Sequence, residues 1–599
     1  MATSNNEDAS IDWIWHSAAN INEGGWTAEF AIPFKSLSFP EKEEQKWGIG
    51  IVHTLPRSSR TQISWMPISR NIPGFLPQLG YLEGLKNIKP GKSIEFLPYV
   101  IAERNGKLSD IDNPESGFKF DKLQGRVGFG VKYSPTPSIS FDGVINPDFS
   151  QIESDADQIS VNSTFALYYD EKRPFFLIGR ELLGTPMYYS RSINNPLTAI
   201  RMSGKANSIS YLYMGAYDRN TIFTIPGEEE SNTEGTNLKS FANVGRIRYD
   251  FGNEKYIGGM LITRNFSSGH NYVAGVDWNY KFWTNWSFSG ECFLSNTKEL
   301  NDTTIINEKR KFSTTNFDAA LNGEKYSGEG AHLYLSHSSR SYYLGMEYNS
   351  FSPTYQAYNG SFNQTGLKQL YIGNEYIFYP DKFFTDKGFI GLSGNLSYNF
   401  YGVKKGQTIE PYFNLSLKAQ TSIFISYMIV NDEIFRDKSF KNIKRIHFDI
   451  STKPTNEIEF SGCTKIGRFI YRSDNPKAGY GHNINTELTL KPSSQLNLTL
   501  SYSRAGLSDI NTKELLYDGN IFRLNTIYQF SEKMFLRTIL QYNSFSKIFH
   551  LYPLFSYKFN AFTTFFAGAT GSYHDYEDWD GITNTHQQYF IKFKYLIGV

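Results

Sequence analysis

From Gln495 to Ser503 the chain alternates. Leu496, Leu498, Leu500 and Tyr502 fall on one side, and Asn497, Thr499, Ser501 and Ser503 on the other. A period of two belongs to a β-strand with one dry and one wet face. The stretch Asn483–Lys491 repeats it, with Ile484, Leu488 and Leu490 against Asn485, Glu487 and Lys491. Only Pro492-Ser493-Ser494 separates the two, so they read as neighbouring antiparallel strands. Tyr272–Phe282 and Trp286–Leu294 form another such pair around Trp283-Thr284-Asn285. The texture continues from about Lys92 to the end, in strands of roughly 9–13 residues.

The connections carry a second signal. In the last third long polar segments (Arg468–His482, Arg504–Gly519, Tyr573–Gln587) alternate with short ones (Pro492–Ser494, Ser531–Lys533, a turn at Asn560). Short turns at one end and long loops at the other mark outer-membrane barrels. The parity puts the C-terminus on the short-turn side, although the phase is lost through Asn296–Gly366. In the last strand Tyr589, Ile591, Phe593, Tyr595, Ile597 and Val599 share one face, while Lys592 and Lys594 share the other, which suits lipid outside and water inside. Val599 departs from the aromatic residue that ends many barrels. A propeller would repeat every 40–50 residues or so, and no such repeat is present. A soluble sandwich of this length would need several domains, and no linker separates them. The pattern predicts an all-β chain: a large transmembrane antiparallel β-barrel of about 24 strands (range about 18–26) over residues 86–599.

Composition is consistent with this. Aromatic residues make up 16% of the chain, and they favour strands. No run of 18 apolar residues exists, so no transmembrane helix is indicated. A mean hydropathy of −0.42 fits a barrel, which shows lipid only alternate residues. With 60 basic and 59 acidic residues the net charge is +1, and nucleic acid is not an expected partner. The two cysteines, Cys292 and Cys463, are far apart and make neither a disulfide framework nor a zinc site. The start, "MATSNNEDAS", lacks the charged-then-apolar pattern of a signal peptide.

Residues 1–85 differ in character. They hold five of the nine tryptophans, Trp13, Trp15, Trp26, Trp47 and Trp65. Trp26, Glu29, Ile32 and Pro33 in "WTAEFAIPFKSLSF", followed by Trp47-Gly48, resemble the second half of a family-9-like carbohydrate-binding domain. Asn146–Gly179, with N-P-D-F-S-Q-x-E-x-D and E-K-R-P-F-F, together with "MYYSRSI" at Met187–Ile193, resembles an outer-membrane barrel domain of unknown function that follows such domains. The opening half of the carbohydrate-binding domain has no counterpart, so the resemblance implies an N-terminally truncated copy. It implies a partial β-sandwich over residues 1–85, a bacterial outer-membrane location, and outer-membrane lipid, carbohydrate and other envelope proteins as partners. The expected role is transport, anchoring or scaffolding at the cell surface. The alternative is a carbohydrate-binding protein tied to polysaccharide breakdown.

Each candidate site has a plainer reading. Trp13 and Trp15 are the candidates for stacking on a sugar, while Trp26, Trp47 and Trp65 are expected to pack a β-core. Glu29 reads as a strand-edge carboxylate. No G-x-S-x-G, H-E-x-x-H, Walker or G-x-G-x-x-G motif occurs, so enzymatic activity is not expected. An enzyme here would be a hydrolase of glycosidic bonds, and no pair of acids stands out for that chemistry. His332 and His337 fall on opposite faces of a strand. His574 sits in an acidic loop that reads as solvated.

The charge cluster is the sharpest feature. Asp148, Glu153, Asp155 and Asp157 precede Lys172, Arg173 and Arg180. If Glu153, Asp155 and Asp157 lie on a strand they share a face, which must avoid lipid. Their repulsion needs cations: the three basic residues, or a bound calcium, for which the glycine of a standard calcium loop is missing. The expected outcome is a wall or inward-folded constriction anchored by Phe175, Phe176 and Leu177, with charge pairing ahead of calcium.

Overall fold

The structure, a computed structural model, describes residues 15–599 apart from 35–36, 38, 40–41, 56–61, 70–74, 89–92, 137, 148–154, 253, 284, 307–309, 381–384, 561–562, 577–580 and 599. From Ser93 onward the alternating segments pair with their neighbours in sequence, all antiparallel, into one closed barrel of 24 strands. The first strand, Ser93–Leu108, closes the ring against Ile582–Lys594, from Tyr99 opposite Lys594 to Lys107 opposite His586. Closure leaves no unpaired sheet edge for lipid to meet.

The predicted faces are the observed ones. Tyr589 (51% exposed), Ile591 and Phe593 point outward, whereas Lys592 is 6% exposed and points into the lumen, between the rings of Tyr99 and Phe566. Ile247, Ile257, Leu261, Val276 and Ile390 continue the exposed apolar belt around the wall. Short turns at Ala206–Ile209, Gly252–Lys255, Ser493–Leu496 and Ser531–Met534 gather at one end. Just above them, outward aromatic residues two apart touch along each strand: Tyr249 with Phe251, Tyr280 with Phe282, Tyr528 with Phe530, Tyr557 with Phe559, Phe593 with Tyr595. That row is an aromatic girdle at a membrane–water boundary. No described helix is long and apolar enough to cross a membrane. A closed barrel with an apolar outer belt, a girdle and short turns at one end is an outer-membrane protein, and this chain lies in the bacterial outer membrane.

Two expectations change in detail. The segments read as long loops are largely strand: Ile458–Tyr471 leads to Lys477–Ser493, and Leu496–Asp509 leads to Leu515–Ser531. Beyond the lipid the outward residues no longer need to be apolar, so alternation fades while ladder hydrogen bonding continues. The phase lost through Asn296–Gly366 is restored by the long connections on either side of the hairpin Lys325–Ser338 and Tyr342–Phe351.

Before the barrel the described strands form separate two-stranded ribbons: His16–Asn22 with Gly25–Ala31, Glu44–Ile49 with Gly80–Lys86, and Val52–Thr54 with Gln62–Ser64. The expected core packing of Trp26 and Trp65 is not observed. They are 58% and 61% exposed, because no second sheet covers the ribbons among the described residues. Trp47 does pack, against Phe34 and Phe39.

Candidate functional site

Among the described residues a long inward excursion interrupts the wall. The strand Ile139–Ile145 ends early, Asn146 turns with a φ of 47°, and the chain returns to the wall only at Pro196. The described part of this excursion, residues 155–195, lies within the lumen. Its regular structure among the described residues is one helical turn, Pro174–Leu177, opened by a proline that needs no hydrogen-bond partner at that position, and two 3-10 turns, Arg180–Leu182 and Ser190–Ser192.

One side of this segment is held by apolar packing. Phe176, Leu182, Met187 and Ile193 are buried against inward residues of the wall, among them Leu212, Met214, Val244 and Ile262. Phe176 and Leu177 are buried and Phe175 is half-buried, as the sequence predicts for an anchor. Arginines in the wall add polar ties. Arg201 pairs with Asp142 at 2.9 Å and donates to the Ile178 carbonyl at 3.1 Å. Arg246 pairs with Asp277 at 2.7 Å and donates to the Leu182 carbonyl at 3.0 Å. Each guanidinium thus serves a wall carboxylate and the segment's backbone together, using its fork of donors.

Arg173 folds the segment on itself. Its Nε and Nη2 grip the two Glu171 carboxylate oxygens at 2.8 and 2.7 Å, and it donates to the carbonyls of Ile193 and Ser190, each at 2.7 Å. Burial alone would raise the Glu171 carboxyl, but Arg173 and the Ser190 hydroxyl more than offset it and hold it below the usual range.

The other side is held by a few polar contacts. Asp155 meets Arg191 at 2.7 Å and Lys172 at 3.1 Å. Arg523 of the far wall donates to the Asp155 carbonyl at 3.3 Å. Asn543 donates to the Asp157 carboxylate at 3.1 Å, and the Asp157 amide donates to Gln541 at 3.3 Å. Asn162 donates to the Ile470 carbonyl at 2.9 Å. Above it, the loop after Ile209–Asp218 meets the segment where the Ser231 amide donates to Thr164 at 2.8 Å, and crosses to Lys405, which pairs with Glu228 at 2.8 Å and Glu229 at 2.6 Å.

The predicted charge cluster is therefore brought together only in part. Asp155 and Lys172 meet. Arg173 turns to Glu171 instead, and Arg180 is exposed. Asp155 and Asp157 lie in irregular chain rather than a strand and take separate partners, so the shared-face expectation does not apply. Asp148, Glu153 and Trp13 lie outside the described residues, and Trp15 is 47% exposed on the edge of the first ribbon, stacked on Phe30. Sequence reasoning missed Glu171, Arg191, Arg523, Gln541 and Asn543. Glu171 opens E-K-R-P-F-F and Arg191 lies within MYYSRSI, but the other three are single inward polar positions among many.

Beside the segment, part of the lumen is open. Inward residues His447, Asp449, Cys463, Lys465, Asn485, Glu487, Ser501 and Ser503 line a cavity of about 530 Å³. Further round, the Tyr412 hydroxyl donates to Glu375 at 3.2 Å and His332 stands 3.4 Å from Glu347. The opposite-face reading of the histidine pair fits: His332 faces the lumen, and His337 lies against Trp286 and Tyr342.

Residues 93–210 match the model of a domain of unknown function (DUF5916), covering the first strands and the inserted segment. No curated protein matches the chain. Among solved structures, the FrpB iron transporter from Neisseria meningitidis is similar at 9% identity with a TM-score of 0.43, over 67% of this chain and 80% of its own. The siderophore receptor PirA from Acinetobacter baumannii gives 8% and 0.41, over 84% and 80%. The copper transporter OprC gives 8% and 0.41, over 67% and 78%.

Proposed function

We propose that the chain is a gated passage for polar solutes across the outer membrane, and that residues 155–195 are its gate. The observation that carries this is the unequal anchorage of the segment. One flank is buried in a continuous apolar core with the wall, and the other rests on the far wall through isolated hydrogen bonds of Asp155, Asp157 and Asn162. The root is fixed, and the far side is held by contacts that water can replace. Swinging it away opens a route lined by serine, asparagine, histidine and carboxylate side chains.

Conductance of the purified full chain in planar bilayers tests this. A hydrogen bond to a charged group is worth about 1.5–3 kcal/mol. Asp157→Ala with Asn543→Ala should therefore raise open time about tenfold or more. Asp157→Cys with Asn543→Cys, with both native cysteines replaced by serine, should lock shut on oxidation and reopen with reductant. Conductance indifferent to both changes would sink the gate.

A second reading adds carbohydrate contact before the barrel. It rests on the exposed indoles of Trp15, Trp26 and Trp65, whose flat apolar faces suit stacking on sugar rings.

A further inference from the structure

His447 and Asp449 are two apart on the strand Arg445–Thr452, so both face the lumen. Cys463 lies on the next strand, directly opposite Asp449 in register. The three side chains meet on the wall of the open cavity. His447 Nε2 is 2.7 Å from Asp449 Oδ1, Cys463 Sγ is 3.5 Å from the same Nε2, and the three donor atoms all lie within 4.8 Å of one another. Phe424 packs edge-on against the imidazole at 5.4 Å and holds it in this pose.

Two functions compete for a Cys, a His and an Asp in contact. In a nucleophilic triad the imidazole stands between thiol and carboxylate and uses a different ring nitrogen for each. Here one nitrogen faces both partners, so no relay through the ring exists. Convergence of all three donor atoms on one point is instead what a metal ion requires. We propose that His447, Asp449 and Cys463 form a binding site for a borderline-soft divalent cation of the zinc class. A zinc ion takes sulfur at about 2.3 Å and nitrogen or oxygen at about 2.0–2.2 Å, so its ligand atoms stand roughly 3.3–3.7 Å apart in a tetrahedron. The sulfur–nitrogen spacing already has that value, and Asp449 needs to retreat by roughly 0.6 Å from the 2.7 Å hydrogen bond it makes in place of the metal.

The donor set also suits the charge. A thiolate and a carboxylate neutralise the dication. Binding expels the thiol proton to water, moves the imidazole proton to Nδ1, and changes no oxidation state, so affinity rises with pH. Lys465 stands opposite His447 in register. Glu487, on the same cavity wall, balances the lysine. Asn485, opposite Cys463 on the following strand, borders the site, and the fourth position faces the cavity. Three protein ligands with one open position describe a site that can exchange a ligand. The site does not depend on the gate.

Cobalt(II) titration of the full chain in detergent, with a non-thiol reductant present, tests the site. The expected result is a thiolate-to-cobalt absorption band saturating at one equivalent and displaced by zinc. Cys463→Ser should abolish the band, and His447→Ala and Asp449→Asn should each weaken binding at least tenfold. Cys292→Ser, on the lipid-facing register of another strand, should leave it intact. Heat-modifiable gel migration of each variant separates loss of the site from loss of the barrel. Absence of the band in the folded native chain, its survival in Cys463→Ser, or its loss in Cys292→Ser would overturn the proposal.

Discussion

Arg173 shows why a single residue inside this lumen is expensive to lose. Its guanidinium is the bidentate partner of Glu171, whose side chain is 4% exposed. It also ties together two carbonyls of the segment and lies over the Phe176 ring. Arg173→Ala strands a buried carboxylate, at a cost of about 3–5 kcal/mol. Thermal unfolding in detergent should show that loss, with calcium chelation changing little. A chelator-induced fall in melting temperature with Arg173→Ala silent would reverse the ranking of charge pairing over calcium. The sequence sets Arg173 against the upstream acids, whereas in the structure it pairs with Glu171, two residues away, because spacing shows how many charges are near and not which of them is dry.

The loop 299–324 gives the element scale its pH dependence. Glu299 is buried, with the Tyr326 hydroxyl donating to it at 2.8 Å and the Asn322 amide at 3.2 Å. Burial lifts its carboxyl most, the Tyr326 bond pulls back, and Glu324 adds to the lift, leaving it at about 7 against an ordinary 4.5. A carboxyl raised on folding costs nothing while both states hold the proton, so the loop is tightest below about 4.5 and loosens as pH rises through about 7. The shift corresponds to on the order of 3 kcal/mol. Hydrogen-exchange protection of this loop, corrected for intrinsic rates, should fall roughly 50-fold from about pH 5 to about pH 8. Glu299→Gln should flatten that profile, and an unchanged profile in the variant would assign it elsewhere. At this scale the strands were legible because lipid enforces alternation on every one of them. The inward excursion was legible as a place, from acids that lipid forbids, but not as irregular chain. The His447–Asp449–Cys463 group was not legible, since a cross-strand pair depends on register and leaves no local motif. The two cysteines alone had argued against a metal.

At the scale of the molecule the two parts differ in support. The barrel strands are paired on both sides, whereas the described strands before Ser93 form two-stranded ribbons with exposed faces, and such ribbons are marginal in water. Limited proteolysis should cut before Ser93 well before it cuts the barrel, and the trimmed barrel should keep its conductance. If the exposed indoles contact glycan, retention on polysaccharide should disappear with the same cut. Equal resistance of both parts would show that the ribbons are held by contacts of their own. The seam has a consequence for the order of assembly. Ser93–Leu108 can find Ile582–Lys594 only after almost the whole chain has emerged, and until then the sheet is an open ribbon with two raw edges. The root of the inserted segment contacts mainly strands that follow it closely in sequence, while its far-side contacts at Arg523, Gln541 and Asn543 come hundreds of residues later. Local contacts form first. The segment is therefore seated on a half-built wall, and the barrel is rolled shut around it. The inserted segment is an early guest of the fold rather than a late visitor threaded into a finished barrel.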